Sequence, residues 1–308
     1  MEALSPEGLA RRAPALRARA DVLRALRLFL ERAGYLEVET PHRIPAPAPE
    51  LHIDAVPSGP WYLHTSPELA MKRLLAAGYS RLFQVSRCFR AGERGRTHLP
   101  EFTLLEWYRA GADYGDLMEE TEALLRSVAA ALGVETLAWR GHRVSLDGPW
   151  EKVTVREAFR RHAGTSPEEA LARGVFEEVL VERVEPHLGF GAPAFLYDYP
   201  VRLGALARRK SEDPSLAERF ELYAAGLELA NGFSELTDAR EQRERFTEER
   251  EERARAGKDP YPMPECFLHD LERMPEAAGI ALGVDRLVML LVGAGEIDEV
   301  VAFTPEEL

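Results

Sequence analysis

Two hairpin-like pairs of strands, helical stretches interspersed without regular strand–helix–strand alternation, and no dinucleotide or P-loop signature predict an α+β fold around a mainly antiparallel sheet. The first pair is RLFQVSRCFR and EFTLLEWYR, separated by a polar loop at residues 91–100. The second is FELYA and LELANG, joined by small residues. Any nucleotide would therefore be held by something other than a glycine-rich phosphate loop. The 308 residues fit one large catalytic domain, and 45% apolar with 30% charged residues gives material for a core and no disordered composition.

From the N-terminus, Val22, Leu23, Leu26, Phe29 and Leu30 share one face of a predicted helix. Glu2, Glu7 and Asp21 interrupt this Arg-rich stretch and argue against a transit peptide. GYLEVETP at 34–41 alternates as a strand and ends at Pro41. In TSPELAMKRLLAAG, Ser66 can cap a helix, Pro67 suits its first position, Glu68 favours its positive end and Gly78 suits the stop.

Residues 116–132 are predicted helical, and a helical insertion is expected around 156–190. PAFLYDYPV returns to strand character. Residues 238–256 form a charge-laced helix, with Asp238 and Glu241 in capping-box spacing and Glu249 four residues before Arg253, read as a solvated face. GIALGVDRLVMLLVG reads as strand, glycine turn and apolar helix, in which Asp285 can cap. The longest apolar run, 287–295, is too short to span a bilayer. Two cysteines, Cys88 and Cys266, make no disulfide framework and fit a reducing cytoplasm. A net charge of −13 argues against a chain devoted to binding nucleic acid.

The candidate chemistry lies in four places. A two-residue turn at Ala224–Ala225 or Ala225–Gly226 would put Glu221 and Glu228 on one face of a hairpin. Such like charges suit a magnesium ion shared with phosphates, against the alternative of exposed edge acids. Of the clustered Arg87, Arg90, Arg94 and Arg96, Arg90 at the strand end is best placed to grip phosphate. Glu106 and Tyr108 share a largely apolar face and are either satisfied core or substrate contacts. Arg286, in a helix's first turn, opposes the helix dipole, which a bound anion would explain.

In this order, GYLEVETP, FRAGERGRTHLPEFTLLEWY, ELANGFSELTDAREQ and GIALGVDRL resemble the three motifs of class II aminoacyl-tRNA synthetases of the lysyl type, from about Arg17 onward. Without an N-terminal anticodon-binding domain, the chain is similar to the elongation factor P lysine ligases, synthetase paralogues that modify a protein. The resemblance implies a class II catalytic fold with a six-stranded antiparallel sheet flanked by helices, and a homodimer formed partly through GYLEVETP.

It implies ATP and Mg²⁺, with Arg90 on the α-phosphate and Arg286 on the far end of ATP. Glu221 and Glu228 would hold the metal. Glu93, His98, Glu228, Leu229 and Gly283 would line the nucleotide site, and Ser66, Glu68, Tyr108, Asn231, Phe233 and Glu235 the amino-acid pocket. Glu235 is implied to face the substrate's ammonium, with the Asn231–Gly232–Phe233 step bending the chain toward it.

The implied reaction activates (R)-β-lysine or lysine as an adenylate and transfers it to a lysine side chain of elongation factor P, with no tRNA and no membrane involved. The alternatives are a compact lysyl-tRNA synthetase and a non-catalytic lysine or nucleotide regulator. Three positions depart from the lysyl-tRNA synthetase pattern. Glu93 stands one place late after Arg90, Leu99 replaces Asn, and Ala281 replaces Gly, narrowing the pocket by a methyl.

Overall fold

The structure, a computed structural model, describes residues 6–308; Glu2 lies outside them. The main sheet comprises β1 (Leu36–Glu37), β2 (Arg81–Phe89), β3 (Glu101–Ala110), β4 (Glu151–Thr154), β5 (Ala194–Pro200), β6 (Leu216–Ala224), β7 (Leu227–Ser234) and β8 (Ala277–Gly283), in the order β1-β2-β3-β8-β7-β6-β5-β4. The helices that bear on the site are α1 (Ala13–Arg32), α2 (Glu68–Ala76), α3 (Tyr114–Leu132), α4 (Ala239–Arg255), α5 (Glu265–Leu271) and α6 (Val284–Val292).

The sheet has eight strands rather than the expected six. Its six central strands are antiparallel neighbours, and a short parallel strand is added at each edge. GYLEVETP contributes only the two-residue β1, because it pairs along one side alone and both its residues are exposed. The first hairpin pairs without a break from Arg81↔Arg109 to Phe89↔Glu101. The second turns at Ala225–Gly226, both at positive φ, as a tight two-residue hairpin requires.

One face of the sheet packs on α1, α3 and α6 in the main apolar core, through Leu105, Trp107, Phe220 and Ile280. α3 is fixed by a reciprocal capping box between Asp113 and Asp116 and ends on left-handed Gly133. The 156–190 segment is helical as expected, in short α, 3₁₀ and π turns, and has its own core around Phe159, Phe176 and Leu196. A small hairpin at 136–145, not foreseen, precedes it. On the opposite face of the main sheet, α2, α5 and α4 pack through Met71, Leu75, Phe246 and Phe267. The centre of that face remains open.

α4 has the solvated face its charge pattern suggests, but two of its charges are turned inward. Asp238 caps it by accepting from the Arg240 and Glu241 amides, while the Glu241 carboxylate takes Arg209 and Arg245 instead of completing the box. Arg253 does not pair with Glu249. It is 1% exposed, lies 4.0 Å over the Tyr261 ring, and donates to the carbonyls of Glu50, Ile53 and Asp259 and to the Asp54 carboxylate. Glu249 accepts the Leu51 amide. Both charges are spent on holding residues 50–54, and the Ala91 amide donates to the Asp54 carbonyl, fixing that loop beside the end of β2.

Replacing Arg253 by Met is therefore expected to lower stability by about 3 kcal/mol, because several buried acceptors lose their donor. A urea denaturation midpoint unchanged from wild type would contradict this assignment.

Candidate active site

Strand register sets the floor of the open face. Glu106, Ala281, Asn231 and Glu221 are cross-strand neighbours in one row over β3, β8, β7 and β6. Tyr108, Gly279, Phe233 and Arg219 form the adjoining row. The rows floor a cleft of about 580 Å³, which Ser66 and Glu68 also line at one end and Arg90, Glu228 and Arg286 at the other.

The alternation of β7 would not by itself put Glu228 with Asn231 and Phe233. A bulge lies between the pairs Tyr223↔Glu228 and Leu222↔Ala230, leaving Leu229 as an extra residue. Before it the even position faces the cleft, and after it the odd ones do. The Asn231–Gly232–Phe233 step does not bend the chain; it lies inside a continuous strand. Gly232 is required by the opposite face, where a Cβ would come within 2.7 Å of the Phe220 ring. Gly279 leaves room for Tyr108 and Glu235, since a Cβ there would overlap both.

One end of the cleft is acidic. Ser66 Oγ donates to Glu106 Oε1 at 2.6 Å and Tyr108 OH to Oε2 at 2.8 Å. Ser66 also accepts the Glu68 amide at 3.0 Å, so it ties the start of α2, whose N-cap position is Pro67 rather than Ser66, to Glu106. Burial, reinforced by the charge of Glu68, pushes the Glu106 carboxyl up to about 7.

Glu235 is 1% exposed and meets the ammonium of Lys72, which also bonds Glu68 and lies 4.9 Å over the Phe233 ring. The Lys72–Glu235 separation is 2.5 Å, yet neither Glu235 oxygen has a well-directed hydrogen bond. Burial alone would lower Lys72; Glu235 and Glu68 outweigh it and hold the group above its ordinary value. Burial raises Glu235 to about 8, only partly offset by Lys72. When ionised, three carboxylates face one resident ammonium, leaving two negative charges for a ligand carrying two ammonium groups. Glu235 thus already has an internal cation, which the sequence reading lacked.

The other end can take phosphate. Arg90 lies 5.0 Å over the Phe102 ring, and its Nε is buried without a hydrogen-bond partner. Arg94 is bound to Asp298 and Glu306, Arg96 lies 3.6 Å from Glu296 and Arg87 3.6 Å from Glu101, so of the clustered arginines Arg90 supplies the cleft. Glu93 lines the cleft 3.9 Å from Arg90, and Leu99 is buried against the core.

Arg286 is engaged, donating to the Glu228 carbonyl and carboxylate and to His98 Nε2 at 2.6 Å. Burial and the Arg286 charge push His98 down, keeping its imidazole a neutral acceptor. Leu229 and Gly283 line the cleft nearby. Asp285 does not cap α6; it is buried, binding Arg19 and the Thr103 amide.

Glu221 and Glu228 both line the cleft. Glu221 is no edge acid: it sits on an inner strand, 7% exposed, and accepts from Arg219, Tyr199 and Tyr223. Burial raises its pKa; Arg219 opposes this and the Glu228 charge adds to it. Among the described residues no group of three His, Cys, Asp or Glu could hold a metal unaided. Two mutually repelling carboxylates beside a phosphate-ready arginine nevertheless fit a magnesium ion shared with phosphates.

Sequence alone does not decide the role of Glu106 and does not single out Lys72 or Arg219, which bonds both Glu221 and Asn231. The i,i+4 spacing of Glu68 and Lys72 was the available signal for one of them.

A family model described as tRNA synthetases class II (D, K and N) matches residues 10–307. Proteins named elongation factor P–(R)-β-lysine ligase are similar over nearly the whole chain. That of Salmonella gallinarum is 41% identical, covering 94% of this chain and 95% of its own, and that of Erwinia tasmaniensis 42%, covering 93% of each. That of Proteus mirabilis is 40% identical, covering 92% of this chain and 93% of its own. With the family model matching nearly the whole chain, the chain belongs to the class II tRNA synthetase family of the D, K and N type.

Proposed function

We propose that this chain is an ATP-dependent ligase that activates (R)-β-lysine, or lysine, as an aminoacyl-adenylate and transfers it to a lysine side chain of elongation factor P. The observation that carries this reading is a single cleft with three carboxyl groups around one ammonium at one end and an unpartnered arginine nitrogen at the other. A diamino acid and a phosphate satisfy the two ends at once.

In this reading Glu68, Glu106 and Tyr108 receive the amino groups. Asn231 and Phe233 wall the pocket, and the Ala281 methyl, lying between Glu106 and Asn231, restricts which lysine isomer fits. Glu235 acts from behind, through Lys72 and across Gly279. The amino acid's carboxylate, already ionised, attacks the α-phosphorus; the new C–O–P linkage forms as the bond to pyrophosphate breaks. No general base is needed for this step. Arg90 Nε donates to the α-phosphate as charge builds there, and Arg286 exchanges its bond to His98 for the far phosphates. Glu221 and Glu228 would hold magnesium, whose chemistry is to offset phosphate charge. Leu229, Gly283, His98 and Glu93 bound the nucleotide.

A protein acceptor suits the net charge of −13 better than tRNA does, since Arg87, Arg94 and Arg96 are already paired with acids. The chain is proposed to act as one catalytic domain and as a homodimer. Exposed Leu28, Leu36 and Tyr79 around the β1 edge support a second copy as the occupant of that surface. No described helix is long and apolar enough to cross a membrane, and free thiols at Cys88 and Cys266 suit the cytoplasm.

Pyrophosphate exchange dependent on (R)-β-lysine or lysine, followed by label on elongation factor P and none on tRNA, is the expected result. Exchange with neither amino acid would end the ligase reading, and label on tRNA would redirect it. In the same assay Glu106→Gln is expected to raise the amino-acid KM about 10- to 100-fold, the value of a charge-assisted hydrogen bond, with ATP KM little changed. An unaltered amino-acid KM would remove Glu106 from the pocket.

A further inference from the structure

Transfer, unlike activation, has a proton problem. The acceptor lysine is an ammonium at neutral pH, with an ordinary pKa of about 10.4, and must lose a proton before it can attack. Most acids of the cleft are committed. Glu68 holds Lys72, Glu106 accepts two hydroxyl donors, Glu221 accepts three donors, and Glu228 accepts from Arg286.

Glu50 is different. Its half-buried side chain lines the cleft and makes no hydrogen bond or ion pair, while the backbone of the loop that carries it is held by side chains from α4. Arg253 takes the Glu50 and Ile53 carbonyls, Glu249 takes the Leu51 amide, and the Ala91 amide takes the Asp54 carbonyl. A buried arginine and a helix glutamate are thus used to present one free carboxylate to the cleft that Arg90 also lines, within reach of the Arg90 charge. The charged groups facing it are Glu68 from α2, Arg90 from the end of β2, Glu249 from α4 and Arg219 from β6.

We propose that Glu50 is the general base of the transfer step, taking the proton from the acceptor lysine. This rests on the ligase reading above. The acceptor ammonium gives one proton to the Glu50 carboxylate. The freed amine attacks the adenylate's carbonyl carbon, the C–N bond forms, and the C–O bond to AMP breaks. The second amine proton leaves on the AMP phosphate, so atoms and charge balance. Burial, with Glu68 and Glu249 acting against Arg90 and Arg219, pushes the Glu50 carboxyl up to about 7, where a carboxylate is a useful base. Glu177, also lining the cleft, sits by Arg219, Glu221 and His52 instead, and serves as the control.

The test is single-turnover transfer of (R)-β-lysine from preformed adenylate to elongation factor P, from pH 6 to 9, beside pyrophosphate exchange. Wild type is expected to rise through about pH 7 and then level. Glu50→Gln is expected to transfer about 100-fold more slowly at pH 7 and to keep rising with pH as free amine accumulates, while exchange falls no more than about threefold. Glu177→Gln is expected to keep the wild-type profile. The proposal is overturned if Glu50→Gln retains the wild-type transfer rate or plateau, if exchange falls as far as transfer, or if Glu177→Gln reproduces the loss. Failure of wild type to exchange or to label elongation factor P would instead sink the ligase reading, a result visible without any variant.

Discussion

The cleft depends on one extra residue in β7. Because side chains alternate across a strand, an unbroken β7 that turns Glu228 toward the cleft would turn Asn231 and Phe233 away from it. The bulge at Leu229 reverses the alternation in the middle of the strand. A carboxylate suited to the phosphate end and the walls proposed for an amino-acid pocket are thereby delivered by one strand to one face. The tight Ala225–Gly226 turn fixes where the bulge falls, and it is itself held by the carbonyls of Leu188 and Gly189 at the end of the helical insertion. The insertion therefore supports the site without contributing to the sheet.

Two opposite electrostatic environments are kept apart on that face. At the amine end, carboxylates outnumber the single buried ammonium of Lys72, and burial raises Glu106 and Glu235 above the ordinary carboxylate range. At the phosphate end, Arg90 keeps a buried nitrogen without an acceptor, and Arg286 is held ready by His98 and Glu228. Each end is costly when empty. Each would be satisfied by a different part of the proposed reaction.

Much of this was legible in the residues. The two hairpins, the strand–glycine–helix of GIALGVDRL and the helical insertion follow from periodicity and turn chemistry, and they stand as read. The motif order led to the family directly. What could not be read were long-range partners. Charge spacing in α4 marks its solvated face, but nothing local shows that Arg253 reaches residues 50–54, about 200 positions away. Asp285 looked like a cap because its buried tie to Arg19 is invisible in sequence. The bulge was unreadable for a related reason: a single unpaired residue leaves no compositional mark when its neighbours are ordinary strand formers. The parallel edge strands, which turn six strands into eight, are too short to announce themselves.

The central claim is that the acidic end of the cleft is a proton-bearing receptor for a diamino acid. Calorimetric titration of (R)-β-lysine or lysine into the protein at pH 7, repeated in buffers of different ionisation enthalpy, tests it most directly. Glu106, raised to about 7, must ionise to receive an ammonium group, so binding at pH 7 should release about half a proton per site, the release fading as the pH rises well above 7. Binding heats independent of the buffer at pH 7 would contradict the account.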